Sequence, residues 1–157
     1  MLSPSAQKVQ DLLNQKGFAH LQVQELAAST RTAQEAAEAV GCTVGQIVKS
    51  LIFRGATSGQ PYLLLVSGAN RVNTEQLAEH LGEGLVKPDG EYVRSVTGFA
   101  IGGVPPVGHA QHLETLIDPD LLQYPRIYAA AGTPFALFGL SPSELLALTA
   151  GHVLRMA

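Results

Sequence analysis

Residues 47–54 and 61–66 constrain the fold more than any other part of the chain. Both are dense in Ile, Leu, Val, Phe and Tyr, and the turn-rich stretch Gly55-Ala56-Thr57-Ser58-Gly59-Gln60 lies between them. Two apolar strand formers joined by a short Gly/Ser turn predict a β-hairpin. The longest strongly apolar run, Tyr62-Leu63-Leu64-Leu65-Val66, belongs to this hairpin and falls far short of the roughly 20 residues a membrane helix requires. Further strands are expected over 113–117, 126–131 and 135–138, with others at 18–23 and 152–154.

Helices are expected between these strands. Ser3-Pro4 reads as an N-cap followed by proline at the first helical position, with Val9, Leu12 and Leu13 on one face and Gly17 as the stop. Thr32-Ala33-Gln34-Glu35 is a capping box that opens an alanine-rich helix ending at Gly41. Thr43-Val44-Gly45-Gln46 repeats the signature for a shorter turn, and Ser141-Pro142-Ser143-Glu144 opens a last helix ending near Gly151. Between them, 73–81 reads as a helix with Leu77 and Leu81 inward and Gly82 after it, and a further helical segment covers 91–96. Paired strands with irregularly interspersed helices give an α+β class with a mixed, mostly antiparallel sheet.

At 157 residues the chain suits one domain, residues 1–157, with no linker or repeat to divide it. Its single cysteine forms no internal disulfide, and MLSPSAQKVQ has neither the basic nor the apolar region of a signal peptide, so a cytoplasmic protein is expected. Ten Lys plus Arg against 13 Asp plus Glu leave a net charge of −3. Proteins that hold long duplex stretches by neutralising phosphates are usually basic. Any nucleic acid bound here is therefore a short end or small group, with no DNA duplex as partner and no membrane.

Lys49 is the most informative single residue. Strand alternation places it with Ile47, Leu51 and Phe53 on one face, opposite Val48, Ser50, Ile52 and Arg54. A lysine on an apolar face either reaches water from an edge strand or projects into a pocket to meet a carboxylate, phosphate or ester oxygen. Depth decides between the two. The loop Gly102-Gly103-Val104-Pro105-Pro106, flanked by Gly98 and Gly108, offers two readings as well. Glycine allows close backbone approach and exposes amides while proline stiffens, which suits a rigid rim around a small group and equally an ordinary crossover. It matches neither a dinucleotide nor a triphosphate motif.

The other candidates carry less. His20, His80, His109, His112 and His152 lack a recognisable zinc spacing, so no metal is expected, and loop positions in solvent are. His109 and His112 could share a helical face. Cys42 reads as a small apolar residue. Asp118-Pro119-Asp120 reads as a turn that caps a short helix, with a carboxylate facing Lys49 as the alternative. Leu137, Phe138 and Leu140 are core.

Taken together, several segments resemble a known family. They are Gln46 to Phe53, Val96 to Gly108 with its G-x-x-x-P loop, Ile117-Asp118, Ile127 to Gly132 and Leu140 to Leu146. In order and spacing they are similar to the YbaK-type family, which includes the editing insertion domain of bacterial prolyl-tRNA synthetases and its free-standing relatives. The resemblance implies a barrel-like sheet flanked by helices. It implies hydrolysis of the ester joining a wrong, small amino acid such as cysteine or alanine to the 3′ end of tRNA for proline, without a cofactor. Its partners would be the CCA end of mischarged tRNA and prolyl-tRNA synthetase.

By position the resemblance assigns catalysis to Lys49, Gly102 and Pro106. It assigns substrate binding to Thr32, Gly103, Val104, Asp118 and Gly132. Thr133-Pro134 follow Gly132 where synthetase-type domains often place a histidine, a departure from the alanine-specific pattern that leaves the amino acid open. An activated ester needs little acceleration, so positioning and backbone hydrogen bonds to a developing oxyanion suffice without a nucleophile. The competing expectation is a non-catalytic module that binds the aminoacylated end or a nucleotide.

Overall fold

The computed structural model describes residues 1–157. Its helices are α1 (Pro4–Gln15), α2 (Ala33–Val40), α3 (Thr74–Leu81), α4 (Gly90–Thr97) and α5 (Pro142–Thr149). Its strands are β1 (Gln24–Glu25), β2 (Ile47–Gly55), β3 (Pro61–Ser67), β4 (Leu85–Val86), β5 (Glu114–Ile117), β6 (Ile127–Ala130), β7 (Ala136–Leu140) and β8 (His152–Val153). The predicted hairpin is the centre of one mixed sheet with strand order β1-β7-β6-β2-β3-β5-β8, and β4 pairs with β2 off this path. The β2/β3, β2/β4, β6/β7 and β1/β7 pairs are antiparallel, whereas β2/β6, β3/β5 and β5/β8 are parallel. The sheet is open, ending at β1 and β8.

Alternation along the hairpin builds two apolar layers. Val48 and Ile52 of β2 and Leu63 and Leu65 of β3 face the larger core, with Phe138, Ile127 and Leu140. Directly opposite pairs share the other face: Leu51 with Leu64, and Phe53 with Tyr62. There Tyr62, Leu64 and Val66 pack with Leu77 of α3, Leu116 and Met156. β3 is thus buried on both sides, which is why its sequence is apolar from Tyr62 to Val66.

The helices begin where hydroxyl and amide side chains can cap them. Thr32, Asn73, Asp89 and Ser141 each accept a backbone N–H of the first turn, each such cap worth about 1 kcal/mol. Ser3 departs from expectation. Its side chain caps nothing and its Oγ is buried without a partner, while its N–H donates to Glu25. Residues 18–23 also form turns rather than a strand. Gln10 holds that segment by accepting from Val23 N–H and donating to Leu21 O. No helix is long and apolar enough to cross a membrane.

Candidate active site

The pairing of β2 changes along one of its edges. Ile47 and Val48 pair with β6, and Arg54 and Gly55 pair with β4. Between them that edge has no strand partner. In an antiparallel ladder the N–H and C=O of one residue point to the same side, and neighbouring residues alternate. Ile47 O accepts from Gly68 N–H and Gly55 N–H donates to Gln60 O, so odd-numbered residues of β2 point toward β3. Ser50 and Ile52 therefore direct their backbone groups into the gap. Ala131 N–H donates to Ala136 O on β7, so Ala130, one residue earlier on β6, turns its carbonyl toward the same gap.

A cavity of about 350 Å³ occupies this break. Lys49, Ser50 and Leu51 form one wall, Ala129 and Ala130 another, and Gly102 and Val104 a third; Thr32 also lines it. β2 is a central strand, so Lys49 does not reach water from a sheet edge. Its half-buried ammonium donates to Asn70 O at 2.5 Å. Burial, with Arg71 beside it, lowers its pKa below the usual lysine value, and Asp118 opposes this.

The glycine/proline loop forms the facing ledge. Gly103 N–H donates to Ala100 O and Gly103 O accepts from Gly132 N–H at 2.9 Å, which anchors the ledge to the end of β6. A Cβ on Gly103 would meet Thr133 backbone at 2.9 Å, so only glycine allows this approach. Gly102 has φ +92° and lies against the Arg31 side chain, a conformation that L side chains rarely adopt. The N–H groups of Gly102 and Val104 donate to no protein acceptor.

Residues 27–148 match the aminoacyl-tRNA editing domain family. The chain belongs to that family. It is 31% identical over 123 residues to the uncharacterized protein YwhH of Bacillus subtilis, covering 78% of each chain. It is 28% identical over 122 residues to EbsC of Enterococcus faecalis, named as a candidate Cys-tRNA(Pro)/Cys-tRNA(Cys) deacylase; the match covers 77% of this chain and 74% of that one. A solved structure described as a candidate trans-editing enzyme for prolyl tRNA synthetase superposes with TM-score 0.94 at 56% identity, covering 99% of this chain and 98% of that one. A hypothetical protein of solved structure follows at TM-score 0.86 and 30% identity, with 95% and 98% covered. As an editing domain, the chain is a hydrolase of the aminoacyl-tRNA ester bond.

Among the sequence candidates, the editing domain brings Lys49, Thr32, Gly102 and Val104 to one cavity. Gly103 and Gly132 are buried behind it, joined by their hydrogen bond, and Pro106 is buried within the ledge. Asp118 is 1% exposed and is not among the residues lining the cavity. It caps the 3-10 turn Pro119–Gln123, as the sequence suggested. Its second oxygen accepts from Ser67 N–H and from Asn70 Nδ2 at 2.8 Å, and so fixes the residue whose carbonyl holds Lys49.

His109 and His112 share no helix. His112 is exposed, but His109 is partly buried rather than in open solvent. Its Nε2 donates to Pro105 O at 2.7 Å, and burial lowers its pKa while that bond raises it. Cys42 is partly exposed, and burial raises its thiol pKa, which disfavours a thiolate. Sequence reasoning missed Arg31, Ser50, Ala130 and Asn70. Ser50, Ala130 and Asn70 present main-chain atoms to the cavity or to Lys49, which leave no residue-type signal; Arg31, next to the Thr32 cap, was the one side chain that could have been found.

Proposed function

We propose that this editing domain acts in trans on tRNA for proline, removing a small wrong amino acid, cysteine or alanine. The observation that carries the reading is the half-buried, single-bonded Lys49 ammonium in one cavity with the free amides of Gly102 and Val104. The volume lies at the small end of ligand sites, suiting a short aminoacyl group. The EbsC relative, by its name, favours cysteine.

Lys49 meets an anionic or ester oxygen of the terminal nucleotide, and Thr32 and Val104 bound the acyl group. Water adds its oxygen to the ester carbonyl carbon. The carbonyl electron pair moves to oxygen, where the Gly102 and Val104 N–H groups stabilise it. Collapse breaks the bond to the ribose oxygen, which takes up the proton that the attacking water gave up. Gly103, Gly132 and Pro106 hold the ledge, and Asp118 positions Lys49 through Asn70. Rejection of larger acyl groups is steric, and one methylene is worth only about 1–3 kcal/mol, so residues of similar size are poorly separated.

A deacylation panel tests this. Cys-, Ala-, Ser- and Pro-esters of tRNA for proline are incubated with the protein and with Lys49→Ala. Loss of a small ester with wild type and not with the variant is expected. Binding of charged tRNA without turnover of any ester overturns the reading.

A further inference from the structure

The break in the β2 edge has no role in the mechanism above beyond forming a wall. It nevertheless exposes a set of backbone groups that a central strand normally satisfies internally. The β2/β6 pairing stops at Val48–Ala129, so Ala130 O receives no N–H from Ser50. Ser50 N–H and Ser50 O point to the same side and have no strand partner there. Ser50 remains partly exposed although its Oγ is buried, so the surface it offers the cavity is main chain and Cβ. Gly102 and Val104, whose amides have no protein acceptor, line the same cavity.

Two carbonyl acceptors and one N–H donor at the break, with two free amide donors on residues lining the same cavity, match a single strand residue that is missing from the ladder. An aminoacyl ester carries the same groups: an amine, a tetrahedral carbon and a carbonyl. We propose that the aminoacyl group binds in this gap as one residue of a strand, its α-amine held by Ala130 O and Ser50 O and its carbonyl by Ser50 N–H and the Gly102–Val104 ledge. The amine of such an ester titrates near neutrality (α-amino groups have pKa values of about 7.7–8.0), so it retains hydrogens to donate whether or not it is charged.

This deepens the proposed function and rests on it. It adds a basis of specificity distinct from side-chain size. Proline is kept out of paired strands because its ring replaces the N–H and places carbon against the neighbouring backbone. In the gap, the secondary amine of a prolyl ester has one hydrogen fewer than a primary amine, and its ring carbon stands where one of those donors would be. The correct prolyl-tRNA is thereby spared through its nitrogen, whereas primary amines of small residues are accepted.

A matched pair of substrates separates nitrogen from size. Alanyl, N-methylalanyl and 2-aminobutyryl esters are placed on tRNA for proline by an acylating ribozyme. The last two have the same number of heavy atoms, one with the extra methyl on nitrogen and the other on the side chain. Each kcat/KM is divided by the uncatalysed hydrolysis rate of that ester. N-methylation is expected to lower the ratio at least tenfold more than side-chain extension does. Equal losses, or a larger loss for 2-aminobutyryl, overturn the amine site and leave the deacylase reading intact. If alanyl ester is not turned over, the same comparison is made on cysteinyl ester with N-methylcysteine and its side-chain-extended isomer. Hydrolysis of neither parent ester overturns both readings.

On the protein side, Ser50→Pro removes an N–H that serves no ladder bond, whereas Leu51→Pro removes one directed at β3. Ser50→Pro is expected to keep its far-ultraviolet circular dichroism and to lose at least tenfold in kcat/KM, with Leu51→Pro unfolding. A folded Ser50→Pro with undiminished activity overturns the proposal. If Ser50→Pro does not fold, the substrate pair decides.

Discussion

Two polar clusters lie at opposite ends of the β2/β3 hairpin. At the turn end, both oxygens of Glu83 are fully occupied: Oε1 accepts from Thr57 N–H and Ser58 N–H, and Oε2 from Ser58 Oγ and Tyr62 Oη, at 2.7–2.9 Å. At the other end, Lys49 donates once, to Asn70 O, and lines a cavity. The Ser58 and Tyr62 bonds hold the Glu83 pKa down to about 2, and burial together with Glu83 pushes Tyr62 up to about 12. Both ends carry perturbed groups, so perturbation alone does not mark a functional site. Unused bonding capacity does. An ammonium with donors to spare beside unpaired amides can take a ligand, and a carboxylate with four donors has no place for one.

Substitutions at the two ends break this contrast if it is false. The largest effect is expected at Lys49→Ala, which should lower kcat/KM for the edited ester on the order of a hundredfold, the scale for losing one preorganised electrostatic contact. Its melting temperature should stay within a few degrees of wild type; unchanged kcat/KM would place the cation outside the chemistry. Asp118→Ala comes next. It strands the buried N–H of Ser67, uncaps Asp120 N–H and removes one of the two carboxylates that hold Asn70 Nδ2, Asp120 being the other, and should cost about 3 kcal/mol in urea unfolding. With the Asn70 side chain held by Asp120 alone, kcat/KM should fall about tenfold. Retained activity in the folded variant would show that Asn70 is held without it.

Glu83→Gln is the smallest for activity. It should lower the melting temperature at pH 7 and leave kcat/KM unchanged. The folded pKa lies below the ordinary value of 4.5, so the carboxylate's contribution is complete above about pH 4.5 and lost as pH falls through about 2. The gap in melting temperature between wild type and Glu83→Gln should therefore narrow across that window. A gap that widens on acidification would assign the stabilisation to another group.

Much of the fold was legible because local signals agreed with the tertiary outcome. The hairpin, the Thr32 and Ser141 helix starts and the strands near 113–117, 126–131 and 135–138 all appear within a residue or two of their expected bounds. The exception at 18–23 is instructive. Apolar residues there are spaced like a strand, but Leu21 and Val23 enter the larger core from turns that Gln10 holds. At the site, Lys49 was visible as a cation on an apolar face, and the ledge as a glycine/proline loop. Asn70 carried no such signal, since its decisive atom is a backbone oxygen. Asp118 was ambiguous between cap and ligand because both roles call for the same carboxylate at a strand end.

Chemical type and periodicity along the chain were enough to determine which segments pair, which face of each is apolar, and that one lysine stands where apolar side chains belong. Only the tertiary structure decided that β6 leaves β2 after Val48, that the ledge is tied to Gly132 across the opening, and that Ser50 and Ala130 face it with unpaired backbone groups. The physical reason is that every residue carries the same N–H and C=O. Whether those groups are satisfied depends on where a neighbouring strand stops, which is a relation between distant segments.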